Sequence, residues 1–280
     1  MHRNECMSVF ADVSTMSDIG GFKEVPLPRH REMLGDLASL VPKHSMQGLL
    51  EFDVTNARAY LRNQKKETGE TLSFTGWLIK CIAQAVSEFK HVQAYRRGGS
   101  LIVFDDVDVG FTMERESEGQ KIVGGFVVRR ADKKSLREIH DEIRAAQKEK
   151  GIHGTLVGDS DDARRFGSIQ STPKLLRRFA IWRFRRDPFL RKRVQGTIGL
   201  TSVGGMFGDI SGWPLVSGPY PLFFGVGSIS RKPGVTGGRI EPREYLAVSV
   251  MFDHDAVDGA DAARFITRLG ELLNEGYGLN

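Results

Sequence analysis

The stretch 243–276 limits the folds open to this chain more than any other. REYLAVSVMF (243–252) is a strongly apolar strand candidate that runs straight into DHDAVDG, and a helix-patterned segment follows at once. In that segment Ala262, Phe265, Ile266, Leu269, Leu272 and Leu273 keep i, i+3, i+4, i+7 spacing, and Gly276 is a natural C′ stop. Two further strand candidates precede it, GTIGLTSV (196–203) and PLFFGVGSIS (221–230). Earlier in the chain, HSMQGLLEFDV (44–54) reads as a strand, and Thr55 is the expected N-cap of the helix after it. SFTGWLIKCIAQAVSEF (73–89) carries an apolar stripe at helical spacing that includes an inert, buried Cys81. Gly98-Gly99 suits a tight hairpin turn, KIVGGFVVRR is another strand candidate, and ADKKSLREIHDEIRAAQKEK places Ile139, Ile143 and Ala146 on one helical face. Strands interleaved with helices in this way predict an α/β (α+β) sandwich.

Within the turn, His254 is surrounded by Asp253, Asp255, Asp258 and Asp261. A calcium loop counted from Asp253 needs an oxygen ligand at position 5, glycine at 6 and glutamate at 12, but the chain has Val257, Asp258 and Arg264 there. Zinc needs further His or Cys ligands at suitable spacing, and none stand nearby. No metal is therefore expected. Two readings stay open on the residues alone: a solvated acidic turn, or an imidazole fixed by local hydrogen bonds and facing a cleft, because HxxxDG by itself is a weak motif.

The bulk sequence narrows the setting. Only Cys6 and Cys81 are present among 280 residues and neither forms a CxxC pair, which fits a reducing compartment without a disulfide framework. The first 22 residues are polar and read as a flexible lead-in with no signal-peptide core, followed by one domain over 23–280. No run reaches membrane-spanning length, so a cytoplasmic protein is expected. The net charge of +5 is local: residues 174–193, KLLRRFAIWRFRRDPFLRKR, hold nine Lys or Arg against one Asp, which leaves the rest of the chain net negative. A nucleic-acid surface would spread its basic residues over a face, so no nucleic-acid partner is expected.

FDHDAVDGADAARFITRLGELL resembles the end of the catalytic domain of dihydrolipoamide acyltransferases, the core subunits of 2-oxoacid dehydrogenase complexes, whose fold and HxxxDG signature are shared with chloramphenicol acetyltransferase. The resemblance continues through GTIGLTSVGGMFG, PLFFGVGSIS, the segment from SFTGWLIKC to DVGFTM, VVRRADKKSLREIHDEIRAA, and PLPRHREMLGDL with its arginine at Arg31. These collinear matches cover roughly 23–147 and 196–276 and imply a mixed sheet flanked by helices.

The resemblance implies acyl transfer between thiols, with coenzyme A as a substrate and dihydrolipoamide as the other thiol. A thiol is mostly protonated at neutral pH, and a neutral imidazole titrates near the working pH, so His254 is implied as general base. The oxyanion donor implied is the Thr201 hydroxyl, with Ser202 beside it. Asp258 is implied to shape the site through an ion pair with Arg31, and Gly259 to permit close packing at the helix start. Homotrimers, or larger assemblies of trimers, are implied, with substrate held partly by a neighbouring copy.

Three departures from the family pattern stand out. No lipoyl or subunit-binding domain accompanies the catalytic stretch, so a lipoyl group is expected on a separate protein. Asp255 stands where lipoamide-dependent relatives carry arginine. A basic insertion at about 148–195 exceeds the family's connection, and in it Leu175, Phe179 and Trp182 share a helix face until Pro188 interrupts. The favoured expectation is a helix that covers the trimer or the active-site mouth with its arginine stems on apolar surface, ahead of a membrane-surface helix. Two other functions are kept open: acyl transfer from acyl-CoA to a small hydroxyl or amine, and a scaffold of the same fold without activity.

Overall fold

The computed structural model describes residues 38–117, 120–148, 172–206 and 210–279. Its centre is a six-stranded mixed sheet built from β1 (Ser45–Asp53), β4 (Val109–Ser117), β5 (Gln120–Val128), β6 (Ile198–Ser202), β7 (Leu222–Thr236) and β8 (Arg239–Asp253), in the order β1-β8-β7-β6-β4-β5. β6 runs parallel to both β4 and β7, and the other pairings are antiparallel. A separate hairpin of β2 (Tyr95–Arg97) and β3 (Ser100–Ile102) turns through Gly98 at φ +61°, as the Gly-Gly pair predicts.

The helices are α1 (Thr55–Thr68), α2 (Phe74–Glu88), α3 (Leu136–Lys148), α4 (Lys174–Arg186), α5 (Pro188–Gln195) and α6 (Gly259–Glu275). α2 packs between α3 and α6, and it is buried from Gly76 to Ile82 without a break, so its environment is more enclosed than a single apolar stripe predicts. Ser73 caps it by accepting the Gly76 amide. The core closes around Phe265 of α6, whose ring meets Phe89, Phe224 and Phe252 at centroid separations of 5.9–6.4 Å. The contacts with Phe89 and Phe252 are edge-to-face, a geometry that adds to the area term. Burial pushes the Cys81 thiol up, out of the reactive range, in keeping with the inert role expected of it.

One boundary differs from the sequence expectation. Thr55 is not an N-cap but the first residue of α1; its amide and hydroxyl both donate to Asp53 Oδ1, at 3.0 and 2.6 Å. The strand's last carboxylate thus accepts the first helical amide from two residues upstream, and the N-cap position, Val54, makes no side-chain bond.

β8 is buried continuously from Leu246 to Phe252 because both faces of the sheet are covered there. The helical layer lies on one side. On the other, the segment around 212–216 presses so close that a Cβ at Gly225 would fall 2.5 Å from Val216 and 2.6 Å from the Pro214 carbonyl oxygen. β7 and β8 also run well past the expected ends, as a ribbon paired through Thr236↔Arg239 and turned by Gly237 and Gly238, both at positive φ.

Candidate active site

His254 sits in the turn between β8 and α6, exposed in the single chain, on a backbone held from three sides. Its own amide donates to the His44 carbonyl at 2.7 Å, just ahead of β1. The preceding amide, of Asp253, donates to the Pro221 carbonyl at 2.8 Å, at the entry to β7. The Asp253 carbonyl then takes the amides of Ala256 and Val257 at 3.0 and 3.1 Å, and Val257 is buried beneath the turn. An imidazole on such a frame has a fixed Cα and a free ring. The backbone of the turn is thus fixed, while the imidazole itself is exposed.

The three aspartates beside it have separate tasks. Asp253 is half-buried, and that burial pushes its carboxyl above the ordinary range despite the bond from the Asp255 amide. Asp255 points outward and is bracketed by His44 Nδ1 at 2.9 Å and Arg96 Nη1 at 2.7 Å; the His44 bond, then the Arg96 bond, hold its carboxyl low. Asp258 caps α6 by accepting the Asp261 amide at 2.8 Å, which lowers its carboxyl. The partner expected for Asp258, Arg31, lies outside the described residues. Among the described residues, no group of three or more His, Cys, Asp or Glu side chains is placed to hold a metal ion.

Thr201 is half-buried near the end of β6, and its hydroxyl lies 2.9 Å from that of Thr112, the residue opposite it on β4. The adjacent Ser202 is exposed. The register shows that Thr201 and His254 do not meet within one chain. Thr201 pairs with Gly225, Gly225 pairs with Ser249, and His254 lies five residues beyond Ser249. At about 3.3 Å per residue and 4.8 Å per strand, the two Cα atoms are roughly 19 Å apart.

Behind the His254 turn is a buried polar cluster that the sequence did not single out. Arg191 of α5 lies 4.1 Å over the Tyr95 ring and donates to the Pro219 carbonyl, and its charge draws the Asp253 carboxyl down against the effect of burial. Gln195 Nε2 donates to the Tyr95 hydroxyl at 3.1 Å and to the Pro219 carbonyl at 2.6 Å, and the Tyr95 hydroxyl donates to the Gly196 carbonyl at 3.0 Å. α5 is pinned further by Asp108, which accepts from Lys192 at 2.8 Å, Arg129 at 3.0 Å and the Arg130 amide at 2.9 Å. Burial pushes Asp108 up, but the Lys192 and Arg130 bonds and the two cationic charges outweigh it and hold the carboxyl below its usual range. Within the basic run nothing marks Arg191 and Lys192 as different from their neighbours; only the fold separates them.

This arrangement of sheet and helices is the fold of chloramphenicol acetyltransferase and of 2-oxoacid dehydrogenase catalytic cores. Chloramphenicol acetyltransferase itself superposes with a TM-score of 0.50 at 13% identity, covering 89% of this chain and 96% of the other. The cubic core of the pyruvate dehydrogenase multienzyme complex superposes with a TM-score of 0.65 at 23% identity, covering 95% and 96%. The family model described as 2-oxoacid dehydrogenases acyltransferase (catalytic domain) matches residues 40–156 and 190–279, and the chain belongs to that family. A curated relative, the dihydrolipoyllysine-residue succinyltransferase component of the 2-oxoglutarate dehydrogenase complex of Staphylococcus saprophyticus, is 26% identical over 230 residues, which are 80% of this chain and 45% of that protein. The chain spans about half the length of the curated relatives it matches.

Proposed function

We propose that this chain transfers an acyl group between coenzyme A and a thiol such as dihydrolipoamide, with His254 as general base. The observation that carries the reading is the exposed imidazole on a backbone clamped between β1, the entry to β7 and its own turn, in a chain of this acyltransferase family. The neutral His254 ring takes the proton from the attacking thiol, and the sulfur adds to the thioester carbonyl. The tetrahedral oxyanion accepts a hydrogen bond from the Thr201 hydroxyl. The carbon–sulfur bond to the departing thiol then breaks, and the protonated imidazole returns the proton to that sulfur.

The roughly 19 Å between His254 and Thr201 requires the two groups to come from different copies. A homotrimer with each site shared between neighbours meets that requirement, and the likeness to a cubic multienzyme core supports an assembly of trimers. Asp258 holds the start of α6, and with it the far end of the His254 turn, whether or not Arg31 adds an ion pair. A lipoyl group carried on a separate protein remains the proposed natural donor.

Release of the free CoA thiol from an acyl-CoA tests the reading, with dihydrolipoamide, alcohols and amines compared as acceptors. Turnover is expected with the dithiol, and His254→Ala is expected to lower it by about 10²–10⁴-fold. Turnover with alcohols or amines alone would move the acceptor class; no turnover with any acceptor would leave a scaffold of the same fold.

A further inference from the structure

Helix α4 lies between the two stretches matched by the family model, which stop at residue 156 and resume at 190. It is seated by an unusual face: Arg177, Ile181 and Phe184 are buried, whereas Leu175, Leu176, Phe179 and Trp182 are 81%, 61%, 61% and 48% exposed. At 100° per residue, those four apolar side chains fall within an arc of about 120°. Arg183 and Arg186 stand inside the same arc, and Arg178 and Arg185 run along one border. The arc is organised: the Phe179 and Trp182 rings stack at 5.7 Å with planes 23° apart, and the Arg186 guanidinium lies 4.4 Å over Trp182.

We propose that this face of α4 rests on an anionic lipid surface, its apolar side chains entering the boundary between headgroups and acyl chains and its arginines meeting headgroup phosphates. Charge selects this occupant. A second copy laid face to face on this helix about a two-fold axis would set one arginine-rich face against another. A nucleic acid would answer the charge, but it would leave the two leucines without an apolar partner. A lipid interface satisfies both halves, because arginine stems lie along apolar surface while their heads reach phosphate. No helix among the described residues is long and apolar enough to cross a membrane, so the association is with the surface.

Flotation of the whole chain with vesicles tests this, comparing phosphatidylglycerol–phosphatidylcholine mixtures with phosphatidylcholine alone. Binding is expected to the anionic vesicles only and to weaken with salt. Arg178→Gln with Arg185→Gln should lower it roughly 25-fold, at about fivefold per cation, and Phe179→Ser with Trp182→Ser should lower it roughly tenfold or more. All four side chains are exposed, so both variants should melt with the wild type. Lys65→Gln with Lys66→Gln on α1 removes equal charge from another exposed surface and should bind as the wild type does. The proposal is overturned by absence of binding, by equal binding to neutral vesicles, or by equal loss in the α1 variant. It is likewise overturned if the Phe179/Trp182 variant keeps its vesicle binding but shows a smaller assembly by light scattering.

Discussion

His254 and Thr201 occupy two differently built regions of one sheet. His254 stands past the end of β8, on an exposed turn whose backbone is tied down while the ring is left free. Thr201 stands inside the ladder of β6, where the parallel register to β4 sets its hydroxyl against that of Thr112. A group that must accept and return a proton needs access and a ring that can reorient slightly. A group that only donates to a developing oxyanion gains most from being fixed beforehand, because preorganised donors need no rearrangement at the transition state. In the proposed mechanism the turn would serve the first demand and the sheet the second. The register keeps the two apart in one chain, so under the proposed mechanism each copy would carry one half of two different sites.

The sharpest way to break that comparison is to disable the halves separately. Thr201→Ala should lower CoA-dependent turnover by about 10²–10³-fold, the usual cost of one oxyanion donor. Mixing this variant with His254→Ala under conditions that exchange subunits should then restore about one quarter of wild-type activity, because random assembly leaves that share of the interfaces with both groups intact. Recovery at that level, read as thiol release against the mixing ratio, ties the histidine to one copy and the threonine to its neighbour. No recovery despite demonstrated exchange would place both groups in one chain's site and contradict the register.

The two regions also differ in how legible they were. The strand, turn and helix over 243–276 were readable because each local signal agrees with the next: an apolar run, an Asp-Gly turn, a helical stripe and a C′ glycine at positive φ. The ribbon formed by the far ends of β7 and β8 was not, because RKPGVTGGRIEP carries two prolines and three glycines, composition that reads as loop. There Pro233 stands opposite Pro242, and the pairing is fixed by the turn at Gly237-Gly238 rather than by strand propensity. At the site, His254 and Thr201 could be named from a resemblance. The bracket of His44 and Arg96 around Asp255 joins residues far apart in the chain, and no local pattern encodes it. The basic block shows the same limit: one arginine-rich run divides into α4, which buries Arg177, Ile181 and Phe184 but turns Leu175, Leu176, Phe179 and Trp182 outward, and α5, which buries Arg191. The expected helix that interrupts at Pro188 is present, and its Leu175, Phe179 and Trp182 do share a face, but that face is turned to solvent.

Asp108 tests whether α5 braces the His254 region. Replacing it with Asn leaves Lys192 and Arg129 without a counter-charge at a nearly closed position and should cost about 2–3 kcal/mol of unfolding free energy, measured by denaturant titration. The carboxyl is held below its ordinary value in the folded chain, so its contribution is complete above the unfolded pKa, near 3.9, and is lost as pH falls through the lower folded value. Wild type should therefore lose stability more steeply than Asp108→Asn as pH falls below about 4. Parallel acid profiles would mean that the bracket contributes nothing.

The smallest effect separates two tasks that coincide at Asp258. As the N-cap of α6 it satisfies the Asp261 amide, and its removal as Asp258→Ala should cost about 1 kcal/mol of stability. Asp258→Asn keeps an oxygen that can accept that bond, since asparagine caps about as well as aspartate, and should melt close to the wild type. The two variants diverge if the negative charge has a second use. Should Asp258→Asn fold normally yet lose turnover with unchanged KM, the carboxylate acts on the geometry of the His254 turn through a cation, as an ion pair with Arg31 would. Should Asp258→Asn keep full turnover while Asp258→Ala loses both stability and rate, the cap alone places the imidazole, and the start of α6 is all that the far end of the turn requires.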